Sequence, residues 1–211
     1  MKIFCKHIDP ADTAAVDAAF AAVEQQPVAC CNWADYPYSP QVSFRAFHTG
    51  QTLMLRFDVH ERHTAALVTD DNGGVWNDSC VEFFLSVDGQ GYYNFEFNCI
   101  GTMLLGFRRS RNEGVVHAAA DTLASIERRT TLPHAAFAER TGDNSWSLTA
   151  AIPVQALFRH RIKSFSGLAA RANLYKCGDQ LSKPHFLSWQ PIQTPSPDFH
   201  RPEFFAPIEF E

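Results

Sequence analysis

Hydrophobic and polar positions alternate most cleanly between Val75 and Phe107. Val81-Glu82-Phe83-Phe84-Leu85 is an apolar run with one carboxylate inside it, and Tyr93-Asn94-Phe95-Glu96-Phe97-Asn98 alternates perfectly. The Gly-rich turn Asp88-Gly89-Gln90-Gly91 between them predicts a β-hairpin. Successive strand side chains point to opposite faces, so Tyr93, Phe95 and Phe97 face a core together with Val81, Phe83 and Leu85. Asn94, Glu96 and Asn98 then share the other face with Glu82, and Trp76 stands at its entrance.

Period-two alternation recurs through much of the rest. It predicts strands at 28–34, 42–46, 52–59, 65–69, 103–107, 124–130, 146–152, 168–175, 186–189 and 208–210, with His48-Thr49-Gly50-Gln51 as a second hairpin turn. One segment has helical spacing: Val16, Phe20 and Val23, opened by Asp9 as N-cap and Pro10 as first helical residue. Ten or more short strands predict an all-β antiparallel β-sandwich of jelly-roll or immunoglobulin-like type. The expectation is one domain over residues 1–211, with residues 9–26 a peripheral helix. The Pro-rich stretch Pro191–Pro207 still carries Phe199, Phe204 and Phe205, which predicts an ordered segment wrapped over the sandwich.

Composition narrows the function classes. The 18 phenylalanines among 211 residues suit strands, and a net charge of −5 offers no basic field for nucleic acid or anionic lipid. No apolar run approaches the roughly 18–20 residues of a membrane span. The first residues, MKIFCKHIDPADT, lack the apolar stretch of a secretory signal, so the expected location is cytoplasmic unless the sequence omits a leader. Of the six cysteines, Cys30 and Cys31 are adjacent, while Cys80 and Cys99 sit inside strand patterns, so buried free thiols are expected. Parity places Cys80 and Cys99 on opposite faces, which forbids a bond between them.

The candidate chemistry lies on the polar face of the central hairpin. An aromatic plate beside carboxylate and amide groups suits a polyhydroxylated ligand, whose C–H face stacks while its hydroxyls take up donors and acceptors. Glu82 and Glu96 on adjacent strands also admit a glycosidase reading, with one carboxyl as acid and the other as nucleophile or base. Two close carboxylates resist joint ionisation, and Arg171, Arg108 or Arg109 would supply a neutralising charge. A scaffold domain without ligand is the third reading. His60-Glu61-Arg62-His63 lacks a third ligand for zinc, and His200 reads as a structural hydrogen bonder.

Trp76-Asn-Asp-Ser-Cys-Val-Glu82-Phe-Phe followed by Tyr93-Asn-Phe-Glu-Phe-Asn98-Cys-Ile-Gly101-Thr resembles the heart of the family 9 carbohydrate-binding modules. Ala151-Ile-Pro153 and the closing Pro197-Asp-Phe-His200-Arg-Pro-Glu-Phe-Phe205 are similar to other parts of that family. The resemblance covers roughly residues 28–211 and implies a DOMON-like β-sandwich that binds carbohydrate without turning it over. Family members joined to xylanases hold sugars, notably chain ends, between two tryptophans. By resemblance Trp76 and Trp189 are those two, Glu82 is the acid after the first, and Asn98 is a hydrogen-bonding residue on the next strand. Glu96 stands where the family has a basic residue. Together with the polar-face residue Glu96 and the neutralising Arg171, the resemblance gives Trp76, Glu82, Glu96, Asn98, Arg171 and Trp189 as the expected sugar site. The family's xylanase-linked members also hold structural calcium; here Asp70, Asp71, Asn72 and Asp78 are loop oxygen groups without a recognisable ligand spacing, so the expectation is no cofactor.

Overall fold

The computed structural model describes all 211 residues, Met1–Glu211. In chain order the strands are β1 (Lys2–Ile3), β2 (Gln26–Pro27), β3 (Cys30–Cys31), β4 (Gln41–His48), β5 (Thr52–Ala66), β6 (Cys80–Ser86) and β7 (Tyr92–Asn98). They continue as β8 (Met103–Arg108), β9 (Val116–His117), β10 (Glu127–Thr130), β11 (Phe137–Pro153), β12 (Ala169–Cys177), β13 (Phe186–Ser188) and β14 (Ala206–Phe210). Two helices, α1 (Thr13–Ala21) and α2 (Ala120–Ala124), interrupt them.

The strands form two sheets. The first runs β1-β14-β12-β6-β7-β8-β9, with β13 bridging β12 to β3; the second runs β10-β11-β5-β4-β2. Val81, Phe83, Leu85, Tyr93, Phe95 and Phe97 of the first sheet meet Phe44, Leu55, Phe57, Leu148 and Ile152 of the second in one buried core. Phe83 and Phe95 are register partners and stack with ring centroids 5.9 Å apart. This is the sandwich that the alternation predicts, and the central hairpin has the expected faces. Its turn closes as Gln90 N–H donates to Asp88 Oδ1 at 2.8 Å, with Gly89 at φ +75°, a conformation in which a side chain is strained.

The structure revises several boundaries. The strands expected at 52–59 and 65–69 are one strand, β5, and β11 begins nine residues before Trp146. These two long strands pair along most of their length. The expected strand 28–34 shrinks to Cys30–Cys31, and 124–130 begins as the end of α2. Helix α1 starts three residues late, because the carboxylate of Asp12, not Asp9, accepts the N–H groups of Ala14 and Ala15. Asp9 instead closes a turn onto Ala11 N–H.

One feature of the fold decides the site. Every residue of β6 and β7 is buried, on the polar face as well as the core face. The segment between β13 and β14 lies across that polar face and seals it with a second apolar cluster, in which Phe199 stacks on Tyr175 at 4.2 Å and Phe205 meets Tyr92 at 5.5 Å. All six cysteines are free thiols, and Cys80 lies in this second cluster while Cys99 lies in the main core.

Candidate functional site

Between hairpin and tail the seal is incomplete and leaves a cavity of about 300 Å³. Glu82 and Glu96, from β6 and β7, are its floor. They are direct cross-strand partners, and each is nearly inaccessible to water. Leu104 and Arg108 of β8, Arg111 and Asn112 of the loop after it, Cys177 and Asp179 at the end of β12, and Asp198, Phe199 and His200 of the tail line the rest. Trp76 sits at the mouth on a single 3-10 turn, Val75–Asn77, and is 38 % exposed although few large apolar residues here are. Its loop is pinned by Asp78, whose carboxylate accepts the N–H groups of Leu67 and Val68 and the amide of Asn98 at 2.9–3.0 Å.

Neither floor carboxylate has an ion-pair partner. Glu82 Oε1 accepts the thiol of Cys177 at 3.1 Å, and Glu96 Oε1 accepts the side-chain amide of Asn94 at 2.8 Å. Asn94 Oδ1 in turn accepts Arg108 Nε at 3.1 Å. Gly106 lies opposite Asn94 in register and makes room for this relay, since a Cβ there would fall 2.7 Å from Asn94 Oδ1. Arg108 also donates to the carbonyl of Arg111, while the Arg111 guanidinium is taken by Asp198 at 2.8 Å.

Burial is the main cause of the unusual acidities that follow. Desolvation, and then the neighbouring Glu96, hold the Glu82 carboxyl well above the usual range. Desolvation pushes Glu96 up to about 7 and Asp179 up to about 6. His200 is driven down to about 3, by burial and then by Arg108 and Arg111, so its ring is neutral. It bonds the hydroxyl of Tyr92 through Nδ1 at 3.0 Å. Near neutral pH the floor therefore presents carboxyls that both donate and accept.

Trp76, Glu82 and Glu96 come together as the sequence predicts, but the other three expected residues do not join them. Trp189 turns the opposite way. Its ring packs edge-on against Phe44 of the second sheet at 5.7 Å, at the border of the main core. The aromatic which that segment sends to the cavity is Phe186, three residues earlier and so on the other side of the chain. Arg171 shares the face of Cys177 but stands six residues away along β12, roughly 20 Å at strand rise. There its guanidinium donates to the carbonyl of Phe205. Asn98 is fully buried and shapes the loop at the strand end, donating to Asp78 and Val68 and accepting Thr102 N–H. Of the arginines considered, Arg108 is the one beside the carboxylates.

Of the loop oxygens named for calcium, Asp78 accepts three N–H groups, Asp71 is paired with Arg128 at 2.7 Å, and Asn72 is bonded to Ala118 and Leu105. His60 and His63 contact different partners, Asp143 and Glu139.

The chain belongs to carbohydrate-binding family 9, whose sequence model matches residues 13–210. Among solved structures it is similar over its whole length to a Bacteroides uniformis protein described as carbohydrate-binding. That match has 42 % identity, a TM-score of 0.91 and coverage of 96 % of the other chain. A family 9 module from Caldicellulosiruptor kristjanssonii shares the fold at 13 % identity. Its glucose complex matches with a TM-score of 0.60 and its cellotriose complex with 0.57, over all of this chain and 96 % and 94 % of those. No curated protein matches.

Proposed function

We propose that this chain binds a sugar or the end of a glycan in the cavity beneath Trp76, by recognition and without turnover. The observation that carries this reading is the exposed indole of Trp76 over a floor of buried carboxyls. The indole offers a flat apolar face for the C–H side of a pyranose. Glu82, Glu96, Asp179 and Arg108 offer donors and acceptors to its hydroxyls inside a space at the small end of ligand pockets. The glucose and cellotriose held by the C. kristjanssonii module support the ligand class. With Trp189 turned to the core, the apolar surface that accompanies Trp76 comes from Phe186 and Phe199 and not from a second tryptophan.

Affinity should be weak, millimolar to micromolar, because a single sugar has few atoms over which to recover the entropy of binding. Titration calorimetry against mono- and oligosaccharides tests the reading. A hit should be weakened at least about tenfold by Trp76→Ala, with no loss of folding, since stacking and desolvated contacts contribute on the order of 1–3 kcal/mol. A folded protein that binds none of the panel points to a scaffold. Release of reducing sugar that disappears with Glu82→Gln points to hydrolysis.

A further inference from the structure

We propose that Cys80, Cys177 and Glu82 form a binding site for one thiophilic divalent cation of the zinc class, set in the cavity floor. The site goes beyond the sugar reading and stands whether or not a sugar occupies the cavity. Cys80 and Cys177 are direct cross-strand partners on β6 and β12, and Glu82 lies two residues from Cys80 on the same face. One donor atom from each of the three lies within 4.8 Å of the other two. All three residues are buried, so their positions are fixed by packing and not by loop mobility.

The spacing suits the ion. Zinc–sulfur and zinc–oxygen bonds of about 2.3 and 2.1 Å put tetrahedral donors roughly 3.4–3.8 Å apart. The Cys177 Sγ to Glu82 Oε1 separation is 3.1 Å, so small side-chain adjustments suffice. The thiol proton that now bridges those two atoms is the one the cation would replace. Cys177 and Glu82 both line the cavity, which provides the entry path and leaves the fourth position facing it. Asp179, which also lines the cavity, or a water molecule would complete the tetrahedron there. Three protein donors with one open position is a zinc-type donor set, and sulfur selects against calcium and magnesium.

Electrostatics point the same way. Two thiolates and one carboxylate carry three negative charges; the cation supplies two positive ones, and Arg108 is nearby. Loading exchanges the protons of the three donors for one cation, and the cluster then carries a single net negative charge beside Arg108. The exchange releases the protons of both thiols and of the Glu82 carboxyl, so that binding strengthens as pH rises.

The test is titration of the reduced protein with cobalt(II) and zinc(II) chloride. One equivalent of cobalt should bring up thiolate-to-cobalt charge-transfer absorption and release the protons held by the two thiols and by the Glu82 carboxyl, and zinc should then displace the cobalt with no further proton release. Cys177→Ser should weaken zinc binding by more than about tenfold, the scale on which even outer-sphere changes act. The double variant Cys30→Ser, Cys31→Ser, which alters the adjacent thiols outside the cavity, should bind as the parent does. Should Cys177→Ser not fold, Glu82→Gln serves instead, with the same loss expected. The proposal is overturned if the parent shows no thiolate band with one equivalent of cobalt. It is equally overturned if the band and the zinc affinity are unchanged in Cys177→Ser, or if the zinc affinity is unchanged in Glu82→Gln where that variant serves. Sugar calorimetry on the metal-free protein reads the carbohydrate site separately.

Discussion

Two groups of buried carboxylates lie in this sandwich, and the fold treats them oppositely. Glu61 of β5 sits between the sheets and meets Lys176 of β12, with Nζ to Oε2 at 2.9 Å and both side chains fully buried. Its other oxygen accepts Trp146 Nε1 at 2.7 Å and Thr64 Oγ1 at 3.2 Å. His185, held neutral by burial with its pKa driven down to about 2, turns Nε2 to Lys176 at 2.7 Å and Nδ1 to the carbonyl of Lys183 at 3.0 Å. Here charge meets charge and ties one sheet to the other. On the far side of β12 and β6, Glu82 and Glu96 face each other with a thiol and an amide as their only donors. The first group has its counter-charge within the chain. The second has no ion-pair partner and opens onto a cavity, and that contrast is why the proposed site is placed there.

The largest expected effect breaks the first group. Lys176→Met leaves Glu61 buried without a cation and should cost about 3–5 kcal/mol in urea unfolding. Adding Glu61→Leu should recover most of that loss, because a buried pair is often replaceable by apolar residues of similar volume. If the single variant unfolded like the parent, the contrast between the two groups would collapse.

Glu82→Gln probes the other side. It should leave stability equal to or above that of the parent, because it removes a desolvated acid. It should also weaken sugar binding by about 1–3 kcal/mol in calorimetry, the cost of mispairing a buried hydrogen-bonding group.

The smallest effect is a difference in sign with pH. A carboxyl raised from the ordinary 4.5 to about 7, as Glu96 is, contributes stability that is fully present below about 4.5 and lost as pH rises through 7. The His185 contribution runs the other way, present above 6.5 and lost as pH falls towards 2. The melting temperature of Glu96→Gln relative to the parent should therefore rise between about pH 5 and pH 8. A flat difference would mean that Glu96 is not desolvated.

Much of the fold was legible because alternation reports faces directly. The core set Val81, Phe83, Leu85, Tyr93, Phe95 and Phe97 follows from parity alone. Trp76 was legible too, because a tryptophan between Gly-Gly and Asn-Asp sits in a loop context. Alternation could not show that the polar face is covered, since Asn94 and Glu96 look the same under solvent as under a tail 100 residues away. Trp189 and Arg171 were misplaced for two separate geometric reasons, the first by direction across the strand and the second by distance along it. Asp179 and Phe186 carry no local signal, because their place depends on how β12 ends and where β13 starts. Asp198 and Phe199 become wall residues only once Phe199 has stacked on Tyr175.

That covering tail has a consequence in time. The carboxylates of the floor are made early in the chain, and the segment that seals them is among the last to be made. Until Phe199 and Phe205 dock, Glu82 and Glu96 stand in water with ordinary acidities and nothing encloses a ligand. Contacts so far apart in sequence carry a loop-closure cost that nearby contacts do not. The proposed site is thus incomplete until the tail has docked, and ligand capture would report that the C-terminal segment is in place.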